Sequence, residues 1–314
     1  MTKKILITGA FGFVGTNLSE SLHNSGNSEI IALDIKEPEN HLYNSFYQWN
    51  EIEKLLNIKL DTIIHLAGKA HDTKNTTEEK DYFDINLGLT KQVFDFYLKS
   101  TAKKFIFFSS VKAVADKVLG EKLTEDVLPN PQTAYGKSKL AAENYILNQK
   151  LPEDKKVYIM RPCMIHGPGN KGNLNLLFKV VQTGFPWPLG SFENKRSFTS
   201  IDNLCFVISK LLENEIESGV YNVADDESIS TNTLIELIAD SQNKKPRIWK
   251  INKNLIETFA KLGNVLPFPL NSERLEKLTE SYVVSNEKFR NAVGIENMPL
   301  RAEAGMKRTL VSFS

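Results

Sequence analysis

Cysteine is scarce in this sequence. Two in 314 residues, Cys163 and Cys205, make neither a disulfide framework nor a close metal-ligand pair. A reduced, cytoplasmic setting is the expectation, with no role for a metal. Excess charge of one sign is also lacking. With 39 Lys and Arg against 38 Asp and Glu, the net charge of +1 creates no global field to gather nucleic acid or an anionic membrane. No basic stripe interleaved with aromatics argues for RNA, although a local basic pocket for a phosphate ester stays open. Long apolar runs are missing too. The stretch 265–270 is short and interrupted by Pro267 and Pro269, so no membrane insertion is expected. Residues 3–8 already read as a buried strand, which disfavours a secretory leader. No internal repeat or low-complexity segment is found.

What is present is ordinary globular material, 41% hydrophobic and 25% charged. Short apolar runs at 3–8, 29–34, 62–67, 104–109 and 157–161 read as strands. Between them, residues from Gly12 onward, 84–100 and 133–149 carry apolar side chains at helical spacing. Strands apolar throughout and alternating with helices predict an α/β fold with a doubly wound parallel sheet covered on both faces. After Arg161-Pro162, Gly167-Pro168-Gly169, Gly172, Gly184, Pro186 and Pro188 mark a loop-rich half, with later helices expected at 231–241, 254–262 and 301–310. Residues 1–161 are therefore read as one domain and 162–314 as mainly a smaller, substrate-shaping one.

Directly after the first strand stands Gly9-Ala10-Phe11-Gly12-Phe13-Val14-Gly15. Glycines let a backbone turn sharply and approach a pyrophosphate, and the following helix offers unpaired N–H groups and a positive dipole end. A tight strand-to-helix turn is the plain alternative. Position after the first strand, the helix beyond it and Asp34 at the end of the second strand favour a dinucleotide. A carboxylate there accepts from both adenosine ribose hydroxyls and repels a 2′-phosphate, so NAD is expected over NADP, with Lys36 close enough to soften the preference.

Tyr135 and Lys139 are four residues apart on the expected helix 133–149, so both project from one face. A phenol near pKa 10 is a poor base at neutral pH; a neighbouring ammonium stabilises the phenolate. Tyr135 is then the proton-transfer residue, with Ser110 at the end of the strand 104–109 bonding the same substrate oxygen. By itself Tyr-x-x-x-Lys usually marks a helix surface.

Glycine loop, strand-end serine and tyrosine–lysine pair, in that order, resemble the extended short-chain dehydrogenase/reductase family, in particular its nucleotide-sugar epimerases and dehydratases. The resemblance runs nearly end to end. It includes His65-Leu66-Ala67-Gly68, Asn86-Leu87-Gly88-Leu89-Thr90, Ser109-Ser110, Arg161-Pro162, Gly167-Pro168-Gly169, the segment from Arg196 to Asp202, and Tyr221-Asn222-Val223-Ala224. It implies a Rossmann-type sheet, with part of 197–225 rejoining the first domain and the C-terminal part binding substrate. It assigns catalysis to Ser110, Tyr135 and Lys139. Gly9, Gly12, Phe13, Val14, Gly15, Asp34, Leu66, Ala67, Gly68, Tyr135, Lys139 and Cys163 would meet NAD. Ser110, Asn173, Leu174 and Arg196 would meet the nucleotide-sugar, Arg196 at its diphosphate. A homodimer is also implied, through the helices at 84–100 and 133–149, with Phe94, Phe96, Tyr97 and Tyr145 as apolar material that could equally be core.

Departures narrow the chemistry. The family acid after the third strand is replaced by Trp49-Asn50, leaving Asn50 to meet the adenine edge. The tyrosine before Gly-Pro is His166, expected to be packed, as is His65; His71 is a substrate-side candidate. Dehydratases of the family place Asp-Glu after the catalytic residue, where this chain has Val111-Lys112. Members that epimerise next to the ketone resemble a pattern with Cys after the serine and His after Gly-Pro, where Val111 and Gly169 stand. A 4-epimerase acting on a UDP-hexose or UDP-N-acetylhexosamine by transient C4 oxidation is the expectation. A nucleotide-4-keto-sugar reductase is the alternative, and a catalytically silent NAD-binding sensor or scaffold the non-enzymatic one.

Overall fold

The computed structural model describes residues 2–70, 78–170, 172–264 and 270–313. His71 and most of the 265–270 run lie outside the described residues, as does the side chain of Asn173. Nine strands are described: β1 (Lys3–Thr8), β2 (Ser28–Asp34), β3 (Ser45–Gln48), β4 (Thr62–His65), β5 (Lys104–Phe108), β6 (Lys156–Pro162), β7 (Met164–His166), β8 (Phe198–Ser200) and β9 (Gly219–Val223). Seven form one sheet in the order β3-β2-β1-β4-β5-β6-β9, every pair parallel, and β7 and β8 form a small parallel pair of their own. This is the expected doubly wound Rossmann-type sheet. The order reverses between β1 and β4, and a parallel sheet opens a ligand crevice beyond its carboxyl ends at that point.

Alternation along the strands explains the two covered faces. Ile5, Ile7, Ile30, Ala32, Ile64, Ile106, Phe108, Tyr158 and Met160 enter one core, together with Leu204, Val207 and Leu211 of the helix Ile201–Glu213. Their neighbours Leu6, Ile31, Leu33, Ile63, Phe105, Phe107, Val157 and Ile159 enter the other, against the helices Leu89–Lys99 and Ala134–Leu147. Phe94, Phe96 and Tyr97 are fully buried in that second core. Of the two roles open to them, seam or core, these three take the core; Tyr145 reaches the surface side, donating to Asp95 at 2.5 Å.

The expected helix 84–100 is not uniform. Residues Phe83–Gly88 form a wide π turn before the regular helix Leu89–Lys99, and such turns concentrate at functional sites. β3 and β9 are not among the strands read from apolar runs; only the resemblance implies a strand before Trp49. The C-terminal helices Thr231–Ser241, Lys253–Leu262 and Ala302–Val311 lie within a residue or two of expectation and build two smaller cores, around Phe178, Ile238 and Met306, and around Leu189, Ile256 and Ala260. No helix among the described residues is long and apolar enough to cross a membrane.

Candidate active site

A cleft of about 590 Å³ opens over the carboxyl ends of β1, β4, β5 and β6. At its floor the backbone approaches itself so closely that side chains are excluded. Gly9 has a φ of +65°, and a Cβ there would stand 2.7 Å from the Ala67 nitrogen. A Cβ on Gly15 would meet the Ala10 carbonyl at 2.3 Å. Gly12 donates to the Gly9 carbonyl at 3.1 Å and precedes the helix Phe13–Ser25, which has no capping side chain and no acid in its first turn. Its first N–H groups are thus left for an anion. Asp34, ending β2, accepts from Phe11 N at 2.9 Å and from Ile35 N at 2.7 Å. That pins its carboxylate beside the loop while leaving acceptor capacity on both oxygens. Loop, helix start and carboxylate fit an adenine dinucleotide.

His65 is buried in a hydrogen-bonded chain below this floor. Thr90 gives its proton to the Asn86 carbonyl at 2.6 Å, so it accepts from His65 Nε2 at 3.1 Å, and Nδ1 receives Thr8 at 2.6 Å. Burial pulls the imidazole down to about 3, with the Lys139 cation adding to the effect. It is a neutral structural histidine. Asn86, inside the π turn, accepts from Lys69 N at 2.8 Å and donates to Ser138 Oγ at 2.9 Å, joining the loop after β4 to the helix that carries Tyr135 and Lys139.

That helix, Ala134–Leu147, starts under steric control. Thr133 caps Gly136 N at 3.2 Å, and a Cβ on Gly136 would meet the Lys112 carbonyl at 2.4 Å. Glycine lets the helix close onto the turn Val111–Ala113, and Tyr135 comes to stand beside Ser110 at the cleft. Burial pushes the Tyr135 phenol above its ordinary pKa, while the adjacent Ser110 hydroxyl pulls it back and Tyr82 adds to the rise. Lys139 is buried, donates to the Phe108 carbonyl at 2.8 Å and is pulled down to about 8 by burial, partly opposed by Glu143. The expected ammonium effect on the phenol is therefore not expressed in the protein alone: burial, Ser110 and Tyr82 act on Tyr135.

Behind Lys139 lies an ion pair that sequence reading missed. Glu143 accepts from Arg161 Nε at 2.9 Å and Nη2 at 2.5 Å, and from Ser109 Oγ at 2.5 Å, with both charged side chains almost fully buried. It ties the helix Ala134–Leu147 to the ends of β5 and β6. The i, i+4 spacing of Lys139 and Glu143 was a signal; the partner on β6 was not a local one.

Gly9, Gly12, Phe13, Val14, Gly15, Leu66, Gly68, Ser110, Tyr135, Lys139, Cys163 and Arg196 line the cleft together. Ala67 abuts Gly9 through its backbone. Asp34 borders the loop through Phe11 N without lining the cleft itself, and two other expected contacts do not converge there. Leu174 turns into the core with Phe178 and Phe198, because that face of the helix Asn173–Gln182 is the packed one. Asn50 is exposed on the turn after β3 and is not among the lining residues. His166 is packed, bonded to Thr309 at 2.8 Å. The far wall adds Lys112, Glu280 and Tyr282, none of them anticipated. Lys112 lies 4.3 Å over the Tyr282 ring. Arg196 donates to the Lys277 carbonyl at 2.8 Å and meets Glu280 at 3.3 Å, and its Nε is buried without a partner.

A family model described as the NAD dependent epimerase/dehydratase family matches residues 5–224. The chain is 29% identical to the UDP-glucose 4-epimerase of Vibrio cholerae, over 100% of this chain and 96% of that one. It is 30% identical to the N-acetyl-alpha-D-glucosaminyl-diphospho-ditrans,octacis-undecaprenol 4-epimerase of Escherichia coli O157:H7, over 78% and 74%. The GDP-6-deoxy-D-mannose reductase of Pseudomonas aeruginosa is 26% identical over 76% and 80%. Among solved structures, the UDP-N-acetylglucosamine 4-epimerase from Bacillus cereus superposes with a TM-score of 0.77 at 19% identity, covering 99% of each chain. The UDP-glucuronic acid 4-epimerase from Bacillus cereus in complex with NAD gives 0.74 at 20%, covering 99% and 98%. These structural likenesses carry the fold.

Proposed function

Because the chain belongs to the NAD-dependent epimerase/dehydratase family and is an NAD-dependent enzyme of the extended short-chain dehydrogenase/reductase type, we propose that it is a nucleotide-sugar 4-epimerase acting on a UDP-hexose or UDP-N-acetylhexosamine. The observation that carries this reading is the meeting of Ser110, Tyr135 and Lys139 in the cleft floored by the glycine loop. When bound, NAD supplies the acceptor of a hydride from sugar C4 and the donor that returns it. Tyr135 takes the C4 hydroxyl proton and later gives it back to the same oxygen. Ser110 bonds that oxygen and holds it in line. Lys139, fixed by the Phe108 carbonyl, places positive charge beneath the reacting pair. Arg196 takes the diphosphate through the Nε that now has no partner.

In the same reading, residues 1–161 with part of 197–225 hold the cofactor and the rest of 162–314 shapes the sugar site. The edge position of β9 in the main sheet supports that division. A homodimer rests on the resemblance alone and a cytoplasmic location on the scarcity of cysteine and of long apolar runs, and light scattering tests the first. Val111 and Lys112, where dehydratases carry acids, speak against water elimination.

Purified protein, given a panel of UDP-sugars and no added coenzyme, is expected to invert C4 with NAD retained. The second reading, a 4-keto-sugar reductase, is favoured by the reductase among the relatives. Consumption of one reduced coenzyme per keto sugar, with no inversion of the parent sugars, would establish it instead.

A further inference from the structure

Averaged over the chain the charge is +1, which conceals a strongly polarised segment. Residues 244–262 carry Lys244, Lys245, Arg247, Lys250, Lys253 and Lys261 against a single acid, Glu257, so the remainder of the protein is at −4. The same segment exposes large apolar side chains. In the helix Lys253–Leu262, Ile256 and Ala260 are buried against Leu189 and Leu275, whereas Leu255, Phe259 and Leu262 form an outward stripe at spacings of four and three. Leu255 is 51% and Phe259 54% exposed. Trp249 is 56% exposed although its backbone is fixed, donating to the Trp187 carbonyl at 2.8 Å and accepting from Gly190 N at 3.0 Å. Beside it, a hollow of about 350 Å³ is bordered by Lys244, Lys245, Arg247 and the exposed Phe185.

We propose that this face, residues 244–262 with Phe185, docks the protein peripherally on an anionic phospholipid surface. Cations interspersed along one segment with exposed apolar side chains suit a headgroup layer, where ammonium and guanidinium groups meet phosphates and rings enter the acyl boundary. The neighbouring helix Ser272–Thr279 neutralises Lys277 with Glu273. None of the six cations has a carboxylate within ion-pair distance among the described residues; Lys244 and Arg247 bond backbone carbonyls and Lys253 lies over Phe192. A second copy is the poorer occupant, because a two-fold contact would set a +5 segment against itself. Nucleic acid would satisfy the charge and leave Leu255 and Leu262 of the stripe without a partner.

The test is flotation of the full chain with vesicles of phosphatidylcholine alone or containing phosphatidylglycerol. Partition is expected onto the anionic vesicles only, weakening with salt. Each cation removed should cost about fivefold in partition, so Lys250→Glu with Lys253→Glu should lose more than tenfold. Phe259→Ser should remove the part that resists salt, and Trp249 emission should shift to the blue on binding in the parent but not in Phe259→Ser. Melting temperature and turnover of soluble nucleotide sugar should stay unchanged in these variants. Equal partition onto both vesicles, binding indifferent to the substitutions, a dimer lost in Phe259→Ser, or salt-sensitive binding to RNA in place of vesicles would each overturn the proposal.

Discussion

On the cofactor side of the cleft, position is set by backbone. Gly9, Gly12 and Gly15 shape the floor, the helix Phe13–Ser25 presents bare N–H groups, and Asp34 is pinned by two backbone donors. On the opposite wall, which the proposed function gives to the sugar, position is set by side chains from segments far apart: Lys112 after β5, Arg196 before β8, Glu280 and Tyr282 after the helix Ser272–Thr279. The first wall fails when an atom is added and the second fails by degrees when a group is removed. Tyr135 and Lys139 stand at their junction, held from behind by a buried ion pair.

The largest expected effect falls on that junction. Tyr135→Phe should lower turnover about 10²- to 10⁴-fold while retained NAD, read by absorbance after denaturation, stays at the parental level. A loss of activity accompanied by loss of NAD would mean that Tyr135 belongs to the cofactor wall.

Next in size is the support behind it. Glu143→Ala strands the buried Arg161 guanidinium and removes the partner of Ser109. Destabilisation of about 3–5 kcal/mol is expected, measured by chemical unfolding. A cost below 1 kcal/mol would show that solvent reaches the pair.

Lys139 gives a pH signature. Its ammonium is pulled from 10.5 down to about 8 in the folded protein. Between those values the unfolded chain holds a proton that the folded chain has released, so stability contributed by this group rises with pH across the window. The full span is on the order of 3 kcal/mol. In protein stripped of cofactor, Lys139→Met should flatten the rise between about pH 8 and 10.5. An unchanged slope would place the titration elsewhere.

The glycine floor comes next. Gly9→Ala sets a methyl into the Ala67 backbone at a left-handed φ. A loss of about 1–3 kcal/mol is expected, together with loss of bound NAD. Retained NAD would show that the loop after β4 can yield.

The same contrast decides what could be read in advance. The cofactor wall is local in the chain: a strand, four residues of loop and a helix stand in sequence order, and Tyr135 with Lys139 shares one helical face. Strands with apolar side chains at every position announced a sheet covered on both sides. β3 and β9 escaped because each is short and takes its place from neighbours, β2 and β6, that pattern alone does not identify. Glu143 with Arg161, and Arg196 with Glu280, are pairs made by folding, and nothing local in the sequence ties either partner to the other. Leu174 is a position carried over by resemblance whose side chain the packing of its helix turns into a core, which leaves only its backbone to face the cleft. The cationic segment was hidden by averaging, since a chain near neutrality can still be strongly polarised.

The sugar wall yields the smallest and most diagnostic change. Arg196 faces a choice between Glu280, at 3.3 Å, and an incoming diphosphate for which its Nε is free. Burial already disfavours the Arg196 cation, and Glu280 opposes that effect. Arg196→Met should therefore raise KM about tenfold, the worth of one charge-assisted contact, with kcat little changed because the contact is remote from C4. Glu280→Gln separates two roles for the carboxylate. If Glu280 competes with the diphosphate, KM should fall severalfold as the guanidinium is released. If it aims the guanidinium, KM should rise as in Arg196→Met, and the double variant should add nothing further. A drop in kcat in either single variant would break the division between the walls, because it would mean that the diphosphate grip is felt at the reacting carbon.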